Sequence, residues 1–172
     1  EGKWKKEIIE TLLIDRTTNR NIIWGTDDYE ILGREYDSHY PILYSLITGK
    51  NSNVIQPRIL KTKESQGKRT KGKAEVFTPS WVCNAQNNLV DNAWFRSENI
   101  FNREIEKGWE TNTEKIKFPD KKNKTWQKYV DEKRLEITCG EAPYLVSRYD
   151  TVSGEPLELK DRIGMLDRKM RV

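Results

Sequence analysis

The chain has 172 residues, with an apolar fraction of 35%, a charged fraction of 34% and a formal net charge of +4. This length is enough to bury a hydrophobic core, and the 17 Trp, Tyr and Phe side chains exclude a wholly disordered chain. Cys83 and Cys139 are the two cysteines and lack ligand spacing, so we expect neither a disulfide framework nor a metal site. No apolar run approaches the roughly 20 residues of a membrane span, and no signal peptide pattern is present. We therefore expect a cytoplasmic protein without membrane contact.

The first third of the chain predicts helical and irregular structure. Residues 3–13 place apolar side chains at helical spacing and predict a helix. Residues 15–32 are rich in turn residues around a short apolar run, Ile22 to Trp24, which predicts a strand or a buried connection. Residues 40–49 predict a short helix or strand that ends at a glycine.

A basic run, KTKESQGKRTKGK at residues 61–73, carries six Lys or Arg residues against one Glu. Lysine and arginine clusters neutralise phosphates, so this run is a candidate DNA-binding segment, and a solvated loop is the alternative. We name Lys68, Arg69, Lys71 and Lys73 as candidate DNA-binding residues. With Lys61, Lys63 and Trp81 added, the run also fits a non-enzymatic DNA-binding module.

The segment AEVFTPSWVCNAQNN follows, at residues 74–88. Pro79 and Ser80 form a helix start signal, and the apolar residues after them recur at helical spacing. The positions concerned are Trp81, Val82, Ala85, Leu89 and Ala93.

Later segments predict three further elements. Residues 125–134 predict a helix, and residues 135–138 predict a strand that leads through CGEAPYL into another helix. Residues 157–172 have helical spacing that requires a break near Gly164.

A strand that ends in a glycine loop and continues into a helix presents backbone N–H groups to a ligand in doubly wound folds. Gly140 allows a sharp turn and a close approach, and Thr138, Cys139 and Ala142 are small. Glu136 and Glu141 would repel a pyrophosphate, and they suit a ligand with an amino group and a positive sulfonium. Plain turn chemistry is the alternative interpretation.

Two of these segments resemble one enzyme family, in matching order. AEVFTPSWVCNAQNN resembles the first conserved segment of the amino-methyltransferases that modify adenine in DNA, where a Thr-Pro turn leads into a helix. LEITCGEAPYL resembles the next segment, whose usual form is an acidic residue, Pro, any residue, Cys-Gly, any residue, Gly, an aromatic and Leu. With DRTTNRNIIWGTDDY and VSRYDTVSGE, most of the chain is similar to the amino-terminal region of restriction enzyme methylase subunits.

The resemblance implies S-adenosylmethionine as cofactor and the following binding residues: Phe77, Thr78, Pro79, Glu136, Thr138, Cys139, Gly140, Glu141 and Ala142. Two positions depart from the family pattern, because Ile137 replaces the Pro and Ala142 replaces the second Gly. Asp167 is the candidate for the acid that holds the ribose in the family, and an ordinary surface Asp is the alternative. The catalytic segment, Asn or Asp followed by Pro-Pro and an aromatic, does not occur in these residues, so the catalytic residues stay unknown.

We therefore expect an α/β chain with an amino-terminal helical and irregular region, residues 1–70. Residues 71–172 would be the opening, incomplete part of a Rossmann-like methyltransferase domain. The resemblance implies methyl transfer to adenine N6 in DNA within a restriction-modification system. The implied partners are DNA and a restriction or specificity subunit. An uncovered sheet edge would favour a homodimer.

A metal-dependent nuclease is the alternative enzyme class. Asp150, Glu158 and Lys160 occur in the order of an Asp followed by Glu-x-Lys, in which two acids bind Mg²⁺ and the lysine assists the attacking water. This function requires two paired strands with both acids on one edge. His39, the one histidine, lies in a turn-like setting and is expected at the surface.

Overall fold

The computed structural model describes residues 2–60, 77–119, 121–137 and 140–172. These residues form a mixed α/β structure with four α-helices and two small two-stranded antiparallel sheets, which confirms the predicted class at this coarse level. Backbone contacts divide the chain into two compact units, the amino-terminal unit Glu1–Gln56 and the carboxy-terminal unit Pro57–Val172. No helix in the described ranges combines the length and the apolar character that crossing a membrane requires.

The amino-terminal unit begins with the predicted helix, α1 (Gly2–Leu13). A hairpin of β1 (Ile14–Asp15) and β2 (Arg20–Asn21) follows, and short 3-10 turns make up most of the rest. These turns are Glu30–Leu32, Arg34–Tyr36, Tyr44–Leu46 and Gly49–Asn51. The core contains Leu13, Trp24, Tyr36 and Ile42. Of the apolar run Ile22 to Trp24 only Trp24 is buried, since Ile22 and Ile23 are 43% and 49% exposed. The run is therefore neither a regular strand nor a fully buried connection, and Ile23 forms an isolated bridge with Pro41.

The carboxy-terminal unit contains the elements that position the candidate site. They are α2 (Ser80–Phe95), β3 (Asn102–Ile105), β4 (Gly108–Thr111), α3 (Trp126–Asp131) and α4 (Met165–Arg171). Strands β3 and β4 form an antiparallel hairpin. 3-10 turns lie at Arg58–Leu60 and Leu159–Asp161. The helix expected at 80–95 is therefore present, and the helix expected at 125–134 is shorter than expected. Of the helical spacing expected over 157–172, only the part after Gly164 is an α-helix, and a 3-10 turn lies before the break.

An aromatic cluster forms the apolar core of this unit. Phe95, Phe101 and Tyr129 are buried against one another, with ring centroids 5.3 to 6.1 Å apart. Aromatic rings at such spacings contribute beyond the area they bury. The cluster joins the end of α2 to β3 and α3.

Helix α2 buries its polar face. Most of its buried residues are polar. They are Ser80, Cys83, Asn84, Asn87, Asn88, Asp91 and Phe95. The apolar residues on the other side are largely exposed: Leu89 is 70% exposed and Val90 is 49% exposed. An amphipathic helix normally turns its apolar face inward, so the burial of α2 is inverted.

The predicted Rossmann-like sheet is not present in the described residues, where both sheets are antiparallel pairs. The strand predicted at residues 135–138 is wrong for 135–137, which belong to no ladder. A strand requires hydrogen-bond partners for its backbone, and no described strand lies beside these residues. Their apolar side chains are also uncovered, since Leu135 is 82% exposed and Ile137 is 73% exposed.

The helix expected after the glycine loop is also absent, since residues 143–145 form a single turn. The Ala142 carbonyl accepts hydrogen bonds from Leu145 N and Val146 N, which close this turn. The carbonyls of Tyr144 and Leu145 then accept hydrogen bonds from Met165 N and Leu166 N. Because these carbonyls are bonded to the start of α4, they are not available to continue a helix.

Several predictions fall outside the described ranges. They concern the DNA-binding candidates Lys68, Arg69, Lys71 and Lys73, the domain boundary between residues 70 and 71, and the loop residues Thr138 and Cys139. They stay predictions.

The inverted burial of α2 is tested by two substitutions. Leu89→Ser should change the free energy of unfolding by less than about 0.5 kcal/mol, because the side chain is exposed. Asn84→Leu should destabilise by about 2 kcal/mol or more, because it leaves hydrogen-bonding groups of Asn102 and Arg168 unpaired. Urea unfolding followed by Trp fluorescence measures both. A larger cost for Leu89→Ser than for Asn84→Leu would contradict the inverted burial.

Candidate functional site

The Phe-Thr-Pro turn fixes the start of α2. Pro79 precedes the helix, and its carbonyl accepts hydrogen bonds from Val82 N and Cys83 N. The Thr78 carbonyl accepts from Thr151 Oγ1 at 2.9 Å and lies 3.6 Å from Cys83 Sγ. The turn is therefore tied both to its own helix and to the segment near residue 150.

Asp150 binds the amino-terminal end of α2. Its Oδ2 accepts a hydrogen bond from Ser80 N at 2.7 Å, and its Oδ1 accepts from Val152 N and Ser153 N. Burial acts to raise the pKa of Asp150, but these hydrogen bonds outweigh it and leave the pKa below its usual value. A charged carboxylate at this position also interacts favourably with the helix dipole.

A cavity of about 600 Å³ lies where the turn meets the glycine loop. This volume is within the range of about 300–1,000 Å³ that is typical of small-molecule and cofactor sites. Its lining comes from the Phe-Thr-Pro turn, the outer part of α2, the extended segment 134–137, the glycine loop and the start of α4. The lining residues are Phe77, Thr78, Gln86, Asn87, Val90, Arg134, Leu135, Glu136, Ile137, Gly140, Pro143, Tyr144 and Met165.

The predicted cofactor residues divide into three groups. Four of them line the cavity together, although Thr78 and Glu136 are 58 positions apart in sequence: Phe77, Thr78, Glu136 and Gly140. Pro79, Glu141 and Ala142 are not among the lining residues, and Pro79 instead starts α2. Thr138 and Cys139 lie outside the described residues.

Gly140 faces the ring of Phe77 directly. Its φ is +50°, a conformation that glycine adopts without strain, and a Cβ at this position would lie 3.4 Å from the Phe77 ring. The two segments of the proposed site therefore approach each other at this point. A Cβ there would be in van der Waals contact with the ring, and any other residue would be strained by the positive φ.

Asn87 holds the cavity wall against α2. Its amide Nδ2 donates hydrogen bonds to the carbonyls of Tyr144, at 3.1 Å, and Ile163, at 3.0 Å. The sequence analysis missed this contribution, because an Asn in a helix gives no pattern that distinguishes a buried amide from an exposed one.

Glu136 has a polar atom that the described residues leave without a partner. Its Oε2 accepts a hydrogen bond from Leu145 N at 3.1 Å, and its Oε1 is buried without a hydrogen-bond partner among them. Burial raises the pKa of Glu136, while the hydrogen bonds from the Tyr144 and Leu145 backbone act in the opposite direction. A nearby positive charge would favour the ionised carboxylate.

Arg134 also lines the cavity and was not predicted as a site residue. Its Nη2 lies 2.7 Å from Asp91 Oδ1, and its guanidinium lies 5.2 Å from the centroid of the Tyr129 ring. The sequence did contain a signal for Arg134. Residues two apart in an extended segment point to the same side, so Arg134 could have been predicted to face the same cavity as Glu136.

Asp91 is the centre of a buried ionic cluster behind the cavity. Its Oδ2 lies 2.6 Å from Arg168 Nη1, and its Oδ1 accepts hydrogen bonds from Arg134 and from the Tyr129 hydroxyl. Arg168 and Asp91 are both 0% exposed. Arg168 also donates to Asn84 and Asn88, so buried polar contacts join α4 to α2 at this place.

The other predicted functional residues have structural contacts. Asp167, the candidate ribose acid, accepts hydrogen bonds from the backbone N and the hydroxyl of Ser147 and does not line the cavity. Glu158 forms an exposed ion pair with Lys160 at 3.1 Å, beside a 3-10 turn. His39 is exposed, as expected.

The nuclease alternative lacks its required geometry. The stretch from Asp150 to Lys160 contains an isolated bridge between Tyr149 and Pro156, and no paired strands carry the acids on one edge. Within the described ranges, no group of three or more His, Cys, Asp or Glu side chains is placed to hold a metal ion.

Comparison of the chain with protein-family models, with curated proteins and with solved structures finds no match in any of the three.

The ionic cluster should dominate the stability of the carboxy-terminal unit. Asp91→Asn removes the negative charge between two buried guanidinium groups and should cost about 3–5 kcal/mol. The matched control is Glu110→Gln, which breaks an exposed pair with Arg103 and should cost less than about 1 kcal/mol. Chemical denaturation measures both variants, and equal costs would show that the cluster is not a stabilising centre.

Proposed function

We propose that this chain carries the S-adenosylmethionine-binding part of an N6-adenine DNA methyltransferase from a restriction-modification system. The observation that supports it best is the shared cavity of Phe77, Thr78, Glu136 and Gly140. The sequence motifs select these residues from two separate segments, and the cavity that they share has the size of a cofactor site.

The surfaces around the cavity are consistent with an incomplete methyltransferase domain. The exposed apolar face of α2 and the exposed side chains of Leu135 and Ile137 lie on elements that line the cavity. In the proposed protein, further elements of a Rossmann-like domain would cover these side chains. A Rossmann-like domain is thus part of the proposal.

The proposed reaction moves the methyl group from the sulfonium of S-adenosylmethionine to the N6 amino group of an adenine in DNA. The nitrogen lone pair forms the new N–C bond as the S–C bond breaks, and the amino group then loses a proton. The expected Asn or Asp-Pro-Pro-aromatic segment, which would polarise the amino group, does not occur in these 172 residues. This chain would therefore bind cofactor and need further residues to transfer the methyl group.

The proposed partners follow from the same assignment. They are DNA, a restriction or specificity subunit, and a second copy of the chain, which would cover the exposed side chains of Leu135 and Ile137. The proposed location is the cytoplasm, where the DNA substrate of such a system is found.

Cofactor binding tests the proposal directly. Isothermal titration with S-adenosylmethionine should give saturable binding, and Gly140→Asp should weaken it at least about tenfold, because the new side chain enters beside the Phe77 ring. Gly49→Asp is the matched control: Gly49 also has a positive φ, of +61°, and nothing lies within 4 Å of its Cβ position. Absence of binding by the unmodified chain, or equal losses in both variants, would contradict the proposal.

DNA binding tests the other half of the assignment. Replacing Lys68, Arg69, Lys71 and Lys73 together with Gln should lower the affinity for duplex DNA. The slope of log K against log salt should become shallower by about one for each phosphate that the variant no longer neutralises. Fluorescence anisotropy at several salt concentrations measures the slope. An unchanged slope would remove these residues from the DNA interface, and salt-dependent DNA binding without cofactor binding would favour the non-enzymatic module.

A further inference from the structure

The ionic cluster behind the cavity carries more positive than negative charge. One carboxylate, Asp91, faces two guanidinium groups, Arg168 at 2.6 Å and Arg134 at 2.7 Å. The exposed fractions of the two arginine side chains are 0% and 9%. Water therefore screens the surplus charge poorly, and a second anion near the cluster would be bound favourably.

The surplus charge lies on the cavity side of the cluster. Both terminal nitrogens of Arg168 are hydrogen-bonded, to Asp91, Asn84 and Asn88. Arg134 uses one terminal nitrogen for Asp91, and its Nε and Nη1 are buried without a hydrogen-bond partner among the described residues. Arg134 is also the member of the pair that lines the cavity.

A guanidinium donor in this position favours a carboxylate or another oxyanion as its partner. Glu136 stands two residues further along the same wall, and its Oε1 likewise has no partner in the described part of the chain. The wall thus offers a cation and an anion within one cavity. An α-amino-acid group, which carries a carboxylate and an ammonium on one carbon, has the complementary charges.

We propose that Arg134 binds the carboxylate of an amino-acid group in this cavity, with its ammonium group towards Glu136. The inference rests on the proposed function and deepens it, because it assigns the methionine end of S-adenosylmethionine to the wall formed by residues 134–136. The sequence analysis assigned no role to Arg134.

Decarboxylated S-adenosylmethionine tests this assignment, since it lacks the carboxylate and keeps the ammonium, the sulfonium and the adenosine. The unmodified chain should bind S-adenosylmethionine at least about tenfold more tightly than the decarboxylated compound. Arg134→Met should reduce this preference to near one. Arg134→Lys, which retains a charge for Asp91, should keep part of it. Arg103→Met, at an exposed pair on the β3–β4 hairpin, is the control and should leave the preference unchanged.

The outcomes separate the two proposals. Equal binding of both compounds by the unmodified chain would overturn the role of Arg134 and leave cofactor binding intact. Binding of neither compound would overturn both. The comparison of ligands on the unmodified chain does not depend on the stability of any variant, so equal binding there overturns the inference even if Arg134→Met fails to fold. A preference that Arg134→Lys leaves undiminished overturns it as well.

Discussion

The buried ion pair between Asp91 and Arg168 is the contact on which the carboxy-terminal unit depends. Two fully buried opposite charges at 2.6 Å hold α4 against α2, and Tyr129 and Arg134 bring α3 and the segment after it to the same carboxylate. Buried charges are tolerated only when they are paired and hydrogen-bonded. The polar residues around Asp91 are therefore requirements of the fold, and they fix the wall of the cavity on its inner side.

This constraint explains why α2 is inverted. Asn84, Asn88 and Asp91 must face Arg168, and Asn87 must reach the carbonyls of Tyr144 and Ile163, so the helix can turn only its opposite face outward. That face carries Leu89 and Val90. Periodicity located the helix correctly but could not reveal which side is buried, because hydrophobic patterns assume that the polar side meets water.

Local signals predicted local features well. The Pro79-Ser80 start of α2, the helix at 3–13 and the break at Gly164 all follow from residues whose backbone preferences act within one turn. The strand at 135–137 and the helix after Ala142 were wrong, because each depends on hydrogen-bond partners that a single segment does not contain. The tie between the Tyr144 carbonyl and Met165 N spans 21 residues and has no sequence pattern of its own.

In the candidate site, too, some residues could be predicted from local sequence motifs and others could not. Phe77, Thr78, Glu136 and Gly140 were found from motif resemblance, whereas Arg134, Tyr144 and Met165 complete the cavity without having been predicted as site residues. Arg134 gains its importance from Asp91, a residue 43 positions earlier in the chain.

Hydrogen–deuterium exchange with and without S-adenosylmethionine is the measurement that tests the central claim most directly. If the Phe-Thr-Pro turn and the glycine loop form one cofactor cavity, peptides that cover residues 77–90 and 134–145 should both gain protection on adding the cofactor. Peptides from the amino-terminal unit should exchange as before. Protection of one segment without the other, or protection confined to the amino-terminal unit, would contradict the account.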